Sequence, residues 1–289
     1  MPACCADPSL STVQEALRWA TGELGAGADR PRVEAEILLA SLLGRGRAYL
    51  LAHPEATVGD EVAVAFSARV RRRAEGEPLP YLTGRMEFFG LEFAVTPDVL
   101  IPRPETELLV EEALSWLERR PGARAVDVGT GSGCIAVTLA LHAPHLRVCA
   151  VDLSTAALTV ARDNARRHGV ADRLLFLQGD LLQPLRGPFD LVVSNPPYVA
   201  TTEWDSLPPS VRREPRLALL AGSDGLDALR RLLPQAAACL RADGLLLVEM
   251  GERQGEVVAS LARRCFPQAD VAILSDLAGK ERLLRVQRF

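Results

Sequence analysis

The sequence predicts an α/β fold: a mostly parallel sheet of seven strands covered by helices, preceded by a small helical domain. Three observations lead to this prediction. From Arg124 onward, apolar β-rich runs alternate with helical patterns, while residues 1–80 have helical patterns throughout. Two more apolar runs, at 271–274 and 283–286, can supply the last two strands. Strands that alternate with helices form parallel sheets that are buried on both faces.

Length and composition are those of a soluble globular protein with a large domain and a smaller one. The chain has 289 residues, of which 48% are hydrophobic and 24% charged. No apolar run approaches the roughly 20 residues of a membrane helix. The first thirty residues contain four acidic residues and no basic segment followed by an apolar one, which argues against a secretory signal or a transit peptide. We therefore expect a cytoplasmic protein with no membrane partner.

Charge and cysteine spacing argue against two further classes of protein. A net charge of −4 disfavours a protein that holds nucleic acid mainly through its phosphates, although a local basic face stays compatible. The six cysteines are scattered without a C-x-x-C pair, which favours reduced thiols over a disulfide framework or a zinc site. For Cys4 and Cys5 we favour a flexible terminus over metal binding. The four histidines have no triad or metal partner in the sequence, so we assign them surface or packing roles.

The N-terminal region, residues 1–80, predicts three helices. The first begins at Ser11, because S-T-V-Q matches a capping box with Gln14 at the third helical position. The second covers 31–43 and ends at Gly44, and the third covers about 58–74. Three arginines at 71–73 end the third helix, where cations complement the helix dipole; contact with a partner is the alternative.

The segment 81–104 predicts a linker that contains a β-hairpin. Residues 77–84 hold helix-breaking residues, and 86–95 alternate as a short hairpin with Gly90 near its turn. Three prolines, at 97, 102 and 104, oppose regular structure before a helix at 106–117.

The third region, residues 105–289, carries the alternating pattern. It predicts five strands before the two tail strands, at 125–128, 146–151, 174–177, 191–193 and 245–248, with helices between the first ones, for example at 134–141 and 155–168.

A glycine-rich turn joins the first of these strands to a helix. Its residues are Gly129, Thr130, Gly131, Ser132 and Gly133. Glycines let a backbone turn sharply and approach a ligand, and this turn lies at the edge where ligands bind in such sheets. The spacing is G-x-G-x-G, with Cys134 where a dinucleotide fingerprint has its third glycine. Together with the acidic Asp127 before it, this favours S-adenosylmethionine, which has a cationic tail and no phosphate; a ligand-free turn is the alternative.

Two acidic residues end the next strands. Asp152 lies 19 residues after Gly133, where a carboxylate can accept both ribose hydroxyl hydrogens. Asp180 and Leu181 follow the third strand, where an acid could accept the adenine amino group; an ordinary Gly-Asp turn is the alternative.

The sharpest feature is Asn195-Pro196-Pro197-Tyr198 at the end of the fourth strand. Proline fixes φ and has no N–H, so the Pro196 carbonyl is held rigidly beside the Asn195 side chain. Two acceptors held side by side match the two hydrogens of a planar NH₂ group. Binding both hydrogens would orient a poorly nucleophilic amide nitrogen and stabilise its developing positive charge. We expect Tyr198 to pack on the flat substrate group; a merely stiffened loop is the alternative.

The chain resembles the release-factor glutamine methyltransferases, a family of Rossmann-like class I S-adenosylmethionine-dependent enzymes. The resemblance rests on the glycine turn, on Asn-Pro-Pro-Tyr, on 80–84 (P-Y-L-T-G), on 100–107 (L-I-P-R-P-E-T-E), and on Glu214-Pro215 with 222–226 (G-S-D-G-L). It implies that residues 129–133, Asp152 and Asn195 bind the cofactor, whose product is S-adenosylhomocysteine. It also implies that 195–198 hold the glutamine of a Gly-Gly-Gln tripeptide, and that residues 1–80 dock a peptide chain release factor.

One departure and several alternatives accompany this resemblance. Leu181 stands where many relatives place an aromatic residue beside the adenine, which puts cofactor affinity in doubt. Arg103, Glu105 and Glu107 could order the linker near the active site or form a salt-bridged helix cap. An amino-methyltransferase acting on a nucleic-acid base explains the same tetrapeptide, but predicts a basic recognition region. An NAD-dependent oxidoreductase and a non-catalytic nucleotide-binding module fit less of the pattern. We expect a monomer that does not bind nucleic acid directly.

Overall fold

The computed structural model describes residues 10–289, so Cys4 and Cys5 lie outside the described residues. The chain forms two compact units. The first comprises Met1–Gly84 together with Pro208–Arg213, and the second comprises Arg85–Leu207 and Glu214–Phe289. No helix among the described residues is long and apolar enough to span a bilayer.

The first unit is helical. Its described residues form five α-helices: α1 (Val13–Leu24), α2 (Pro31–Leu43), α3 (Arg47–Ala52), α4 (Asp60–Ala74) and α5 (Leu79–Thr83). Their apolar faces enclose one core, whose fully buried members include Leu17, Leu38 and Phe66. The helix predicted at 31–43 is confirmed, and Gly44 ends it in the left-handed conformation, where a side chain would be strained.

Three details of this unit differ from the sequence prediction. Helix α1 begins one residue later than predicted: the cap is Thr12, whose hydroxyl accepts from the Glu15 amide at 3.3 Å, while the Glu15 carboxylate accepts from the Thr12 amide at 3.2 Å. An acidic residue at that position also complements the helix dipole, which the Gln14 alternative would not. Helix α3 was not predicted. The segment 77–84 is not simply a linker, because α5 forms within it.

The basic run at the end of α4 pairs within its own unit. Arg73 forms a 2.6 Å ion pair with Glu34 of α2, and both side chains are largely buried. Arg72 forms a 2.5 Å pair with Glu77. These two cations therefore join α4 to its neighbours, which goes beyond the dipole role predicted for them.

The second unit begins with the predicted hairpin, β1 (Arg85–Phe88) and β2 (Leu91–Ala94). Phe89 and Gly90 both have positive φ, at 53° and 70°, as a two-residue hairpin turn requires. His142 and His168 pack their rings against Phe89 and Phe93, which agrees with the packing roles predicted for them.

All seven predicted strands form one sheet, in the order β5-β4-β3-β6-β7-β9-β8. The strands are β3 (Arg124–Val128), β4 (Arg147–Asp152), β5 (Leu174–Gln178), β6 (Phe189–Ser194), β7 (Leu240–Glu249), β8 (Asp270–Ser275) and β9 (Glu281–Gln287). The first five are parallel, and β9 runs antiparallel between β7 and β8. The predicted mostly parallel sheet is therefore confirmed.

Helices cover both faces of this sheet. They are α6 (Glu107–Leu117), α7 (Cys134–His142), α8 (Thr155–Arg167), α9 (Arg216–Leu219), α10 (Asp227–Cys239) and α11 (Gly255–Cys265). Alternate residues of β7 point to opposite faces: Leu245 and Leu247 join the core under α6 and α7, whereas Leu246 joins the core under α10 and α11. Burial on both faces explains why these strands are continuous apolar runs.

Candidate active site

The predicted site residues converge because their strands are neighbours in register. In the sheet, β3 pairs with β4 through Val128 and Val151, and with β6 through Val128 and Ser194. The carboxyl ends of these three parallel strands therefore meet at one edge, from which the glycine turn, Asp152 and Asn195 emerge.

A cavity of about 360 Å³ lies at this edge, within the second unit. Its size falls in the usual range for a small-molecule site, about 300–1,000 Å³. Nine predicted site residues line it: Gly129, Thr130, Gly131, Ser132, Asp152, Asp180, Leu181, Asn195 and Pro197. Three others, Gly133, Pro196 and Tyr198, are not among the lining residues, and all three are described by the structure.

The glycine turn needs its glycines for two different reasons. Gly129, Gly131 and Gly133 all have positive φ, between 54° and 80°. At Gly133 an added Cβ would also lie 3.0 Å from the Cβ of Ala161 in α8, closer than such atoms normally approach. Gly133 therefore allows the turn to approach α8, while the preceding residues form the cavity wall.

The Asp152 carboxylate is fixed by the backbone around it. One oxygen accepts from the Gly131 amide at 2.9 Å, and the other accepts from the Ser154 amide at 2.8 Å. Burial raises the pKa of Asp152, and these backbone hydrogen bonds oppose the rise. Each oxygen retains accepting capacity toward the cavity, which suits a pair of hydroxyl donors.

Asp127 lies behind the glycine turn and is fully buried. Its Oδ2 accepts from the Thr130 hydroxyl at 2.6 Å and from the Ala136 amide at 3.2 Å, whereas its Oδ1 has no partner. Burial raises the pKa of Asp127 to about 7, against the effect of these hydrogen bonds, and the charge of Asp152 adds to the rise. Asp127 is not among the residues that line the cavity, so its carboxyl group lies beneath the turn.

Asp180 has a partner that the sequence did not suggest. Its carboxylate forms an ion pair with Arg231 of α10, and both residues line the cavity. An adenine amino group would therefore share this acceptor with a guanidinium. Leu181 follows with a φ of 53°, and its side chain packs against the apolar core on the α10 side of the sheet.

Asn195 is held by a chain of side-chain hydrogen bonds. Its Nδ2 donates to the Thr106 hydroxyl at 3.1 Å, and that hydroxyl donates to Oε2 of Glu249 at 2.6 Å. The Oδ1 of Asn195 is buried and has no partner. The carboxamide of this cavity-lining residue therefore has one N–H committed to Thr106 and an oxygen without a partner.

Tyr198 is directed at the same carboxylate. Its hydroxyl donates to Oε1 of Glu249 at 3.4 Å, and burial together with the charge of Glu249 raises the pKa of Tyr198. Burial also raises the pKa of Glu249 to about 7, while the Thr106 hydrogen bond and the charge of Arg282 oppose the rise. Because its hydroxyl is drawn to Glu249, Tyr198 lies outside the cavity lining, and its expected contact with a substrate stays a prediction.

The segment after the hairpin is ordered by two carboxylates, of which Glu214 is buried and Glu107 is half-buried. Glu214 accepts from the Ile101 amide at 3.0 Å and forms a 2.5 Å ion pair with Arg103, which lines the cavity. Glu107 accepts from the Phe89 amide at 2.7 Å and so joins α6 to the hairpin turn. The structure therefore favours the linker-ordering alternative for Arg103 and Glu107 over a salt-bridged helix cap.

Sequence reasoning missed Thr106, Glu249 and Arg231 as members of this site. Glu249 carried a readable signal, because it is the one charged residue at the end of the apolar run L-L-L-V-E and follows a strand parallel to that of Asn195. Among the residues the structure describes, no group of three or more His, Cys, Asp or Glu side chains could hold a metal ion.

Known protein families match residues in both units of the chain. Residues 15–84 match the family model of the PrmC N-terminal domain, and residues 105–207 match that of the methyltransferase small domain. The release factor glutamine methyltransferase of Moorella thermoacetica is 48% identical over 96% of this chain and 99% of its own length. That of Nitratidesulfovibrio vulgaris is 45% identical over 98% of this chain and 97% of its own length.

Solved structures resemble the fold at low sequence identity. The hMettl16 catalytic domain in complex with MAT2A 3′UTR hairpin 6 is 18% identical, with a TM-score of 0.57 over 76% of this chain and 82% of its own. The Thermus thermophilus 16S rRNA N2 G1207 methyltransferase, in complex with AdoMet and guanosine, is 19% identical, with a TM-score of 0.51 over 71% of this chain and 50% of its own. At such identities the likeness shows the shared methyltransferase fold.

Proposed function

This chain belongs to the release factor glutamine methyltransferase family, and we infer that it methylates the side-chain amide nitrogen of a release-factor glutamine. The methyl donor in this proposal is S-adenosylmethionine, and the glutamine is that of the Gly-Gly-Gln motif. The observation that carries the proposal is the buried, unpartnered Oδ1 of Asn195, a residue that lines the cavity.

A buried acceptor without a partner costs about 1–3 kcal/mol, so it is retained where something else supplies the donor. A carboxamide NH₂ has two hydrogens in one plane and suits an acceptor of this kind. Asn195 is itself neutral, so it can bind a neutral amide without placing an unbalanced charge in the site. The Pro196 carbonyl is the second acceptor in this proposal.

The residues around the cavity fit the proposed cofactor. Asp152 presents two carboxylate oxygens to a ribose, and the glycine turn, Asp180 and Leu181 form the wall on either side. Asp127 lies beneath the turn with a pKa that burial raises to about 7, and a cationic amino-acid tail bound nearby would favour its ionised form. When bound, S-adenosylmethionine supplies an electrophilic methyl group attached to a sulfonium.

The residues of the chain contribute positioning and electrostatics in this proposal. An amide nitrogen is a weak nucleophile because its lone pair is delocalised into the carbonyl. Acceptors that hold both N–H groups fix the direction of that lone pair and stabilise positive charge as it develops on nitrogen. Pro196 and Pro197 stiffen the backbone after Asn195, and Pro197 lines the cavity.

We propose that the helical region, residues 1–80, docks the release factor, and that the linker begins after residue 80. Support comes from the match of residues 15–84 to the PrmC N-terminal domain. We also propose that the protein works as a monomer in the cytoplasm, where release factors act.

Mass spectrometry of a release factor after incubation with the protein and S-adenosylmethionine tests this function. We expect the mass of one methyl group on the Gly-Gly-Gln glutamine and none on a release factor in which that glutamine is replaced by glutamate. Duplex DNA and RNA offered with the same donor serve as the comparison, since a base amino-methyltransferase would label them. Methyl transfer to nucleic acid, with an unmodified release factor, would overturn the proposal.

A further inference from the structure

We propose that Thr106 and Glu249 are positioning residues that fix the orientation of the Asn195 carboxamide, and so make the site prefer an amide to a carboxylate. The inference rests on the proposed function, because it names what selects the substrate group at that same site. Neither residue belongs to the Asn-Pro-Pro-Tyr segment or to the glycine turn.

The shape of an asparagine side chain does not decide its orientation, because its oxygen and its NH₂ group have nearly the same size. Only its hydrogen-bond partners distinguish the two ends. For Asn195 the partner in the structure is the Thr106 hydroxyl, 3.1 Å from Nδ2. The Thr106 side chain is buried and lines the cavity, so bulk water does not compete strongly for it.

The Thr106 hydroxyl has one hydrogen, which it donates to Glu249 in a hydrogen bond. The distance from Oγ1 of Thr106 to Oε2 of Glu249 is 2.6 Å, which is short for a neutral hydroxyl and typical of a donor to a carboxylate. With its hydrogen committed, Oγ1 offers only lone pairs to Asn195. It accepts from Nδ2 and would repel Oδ1, so the carboxamide has one favourable orientation.

Glu249 is itself held in place. It is 1% exposed, and its other carboxylate oxygen accepts from Tyr198. Burial raises the pKa of Glu249 to about 7, against the charge of Arg282, so Glu249 is the ionised acceptor above about pH 7, where the measurements below are made. Thr106 is the last residue of a short 3₁₀ helix, Pro104–Thr106, and directly precedes α6. Glu249 is the last residue of β7. The two residues are 143 positions apart in the sequence and meet only in the folded sheet.

The fixed orientation leaves Oδ1 of Asn195 as the atom without a partner. A substrate NH₂ group can donate to it, whereas a carboxylate oxygen would meet another acceptor and be repelled. If the carboxamide could turn over, Nδ2 would face the substrate and a carboxylate would bind as well as an amide. Thr106 and Glu249 therefore act on selectivity through Asn195.

The test compares Thr106→Val, which keeps the shape and removes the hydroxyl, with Thr106→Ser, which keeps the hydroxyl. Thr138→Val is the matched control, since Thr138 is equally buried, lies in α7, and has a hydroxyl without a partner. Glu249→Gln is a second, independent variant, because its NH₂ group can donate to Thr106 and so permit the reversed orientation. The measurements are kcat/KM for the release factor, the Kd of S-adenosylmethionine, and the Kd of the Gln and Gln→Glu forms of the release factor.

For Thr106→Val we expect a loss of roughly 10- to 100-fold in kcat/KM, the size set by one unsatisfied buried partner. The preference for the Gln form over the Glu form should shrink by about tenfold, while the Kd of S-adenosylmethionine stays within about threefold. Glu249→Gln should shift the preference in the same direction. Thr106→Ser should keep the wild-type preference, and Thr138→Val should leave every measured value unchanged.

An unchanged Gln-to-Glu preference in both Thr106→Val and Glu249→Gln would overturn the inference. So would a weakening of S-adenosylmethionine binding as large as the loss of turnover, because Thr106 would then hold the cofactor. A wild-type protein that transfers no methyl to the release factor would defeat the proposed function instead. The binding preference needs no turnover, so it still tests the orientation of Asn195.

Discussion

Replacing Asn195 by alanine should abolish most of the methyl transfer and leave the stability of the protein nearly unchanged. The reason lies in the two ends of the side chain. The substitution removes one hydrogen bond, from Nδ2 to Thr106, and it also removes a buried oxygen that has no partner. These two changes have opposite effects on the free energy of unfolding.

The magnitudes follow from those contacts. Loss of one hydrogen bond costs about 0.5–1.5 kcal/mol, and removal of a buried unsatisfied acceptor returns about 1–3 kcal/mol. The net change in unfolding free energy should therefore lie near zero or on the stabilising side, with Tm within about 4 °C of the wild type. Loss of the acceptor for the substrate amide should lower kcat by about 10²–10³-fold, the usual effect of removing one preorganised polar group.

Asn164 offers a matched control for stability. It is also buried, but both ends are satisfied: Oδ1 accepts from the Ala94 amide at 2.8 Å, and Nδ2 donates to the carbonyls of Ala94 and Ser132 at 3.0 and 2.8 Å. Asn164→Ala should lower the unfolding free energy by about 3–5 kcal/mol, because two part-buried groups of Ala94 and the buried Ser132 carbonyl lose their partner. Urea denaturation and initial rates of methyl transfer measure both quantities for the two variants.

Two results would refute the reasoning about Asn195. One is an Asn195→Ala variant with a rate within tenfold of the wild type. The other is an Asn195→Ala variant destabilised as strongly as Asn164→Ala, since the Asn195 oxygen would then have a stabilising partner in the folded protein.

Two further predictions concern the glycine turn and the buried acids. Gly133→Ala should lower the unfolding free energy by about 2–4 kcal/mol and weaken S-adenosylmethionine binding, because positive φ strains alanine and its Cβ would crowd Ala161. Gly169→Ala, with the same backbone strain and open space around it, should cost only about 1–2 kcal/mol in thermal or urea denaturation; equal costs would contradict this. Without ligand, unfolding free energy should fall as pH rises from about 5 to about 8, because Asp127 and Glu249, both with a pKa raised to about 7, hold protons in the folded state that the unfolded chain has already released. The double variant Asp127→Asn, Glu249→Gln should lose most of this decrease, which amounts to on the order of a few kcal/mol over the pH range. A wild-type stability that rises over that range would refute the sign.

Most of the sheet could be predicted from the sequence because inner strands such as β6 and β7 are buried on both faces and therefore contain continuous apolar runs. Helix α3 escaped prediction for the opposite reason: it has six residues, of which only Leu50 is buried, so no periodic face is visible. The Thr12 cap was misplaced by one residue because S-T-V-Q and T-V-Q-E both match a capping box, and only the carboxylate of Glu15 decides between them.

The part of the site that follows a strand end could be predicted, since parallel strands bring their ends together. The hydrogen-bonded partners could not. Thr106 and Glu249 meet across 143 residues, and Asp180 and Arg231 across 51, distances at which no local pattern pairs one polar residue with another. Tyr198 shows the same limit, because its hydroxyl is drawn to a carboxylate from a different strand.

The position of β9 has a consequence for a chain emerging from the ribosome. Strand β8 pairs with β9 alone in the described sheet, and β9 separates it from β7. Until residues 281–287 have left the exit tunnel, β7 therefore presents an unpaired edge and β8 has no place to dock. Such non-local pairing forms slowly and leaves apolar edges exposed to other nascent chains. Closure of this side of the sheet therefore waits for β9, and until then the edge of β7 is open to pairing with other chains.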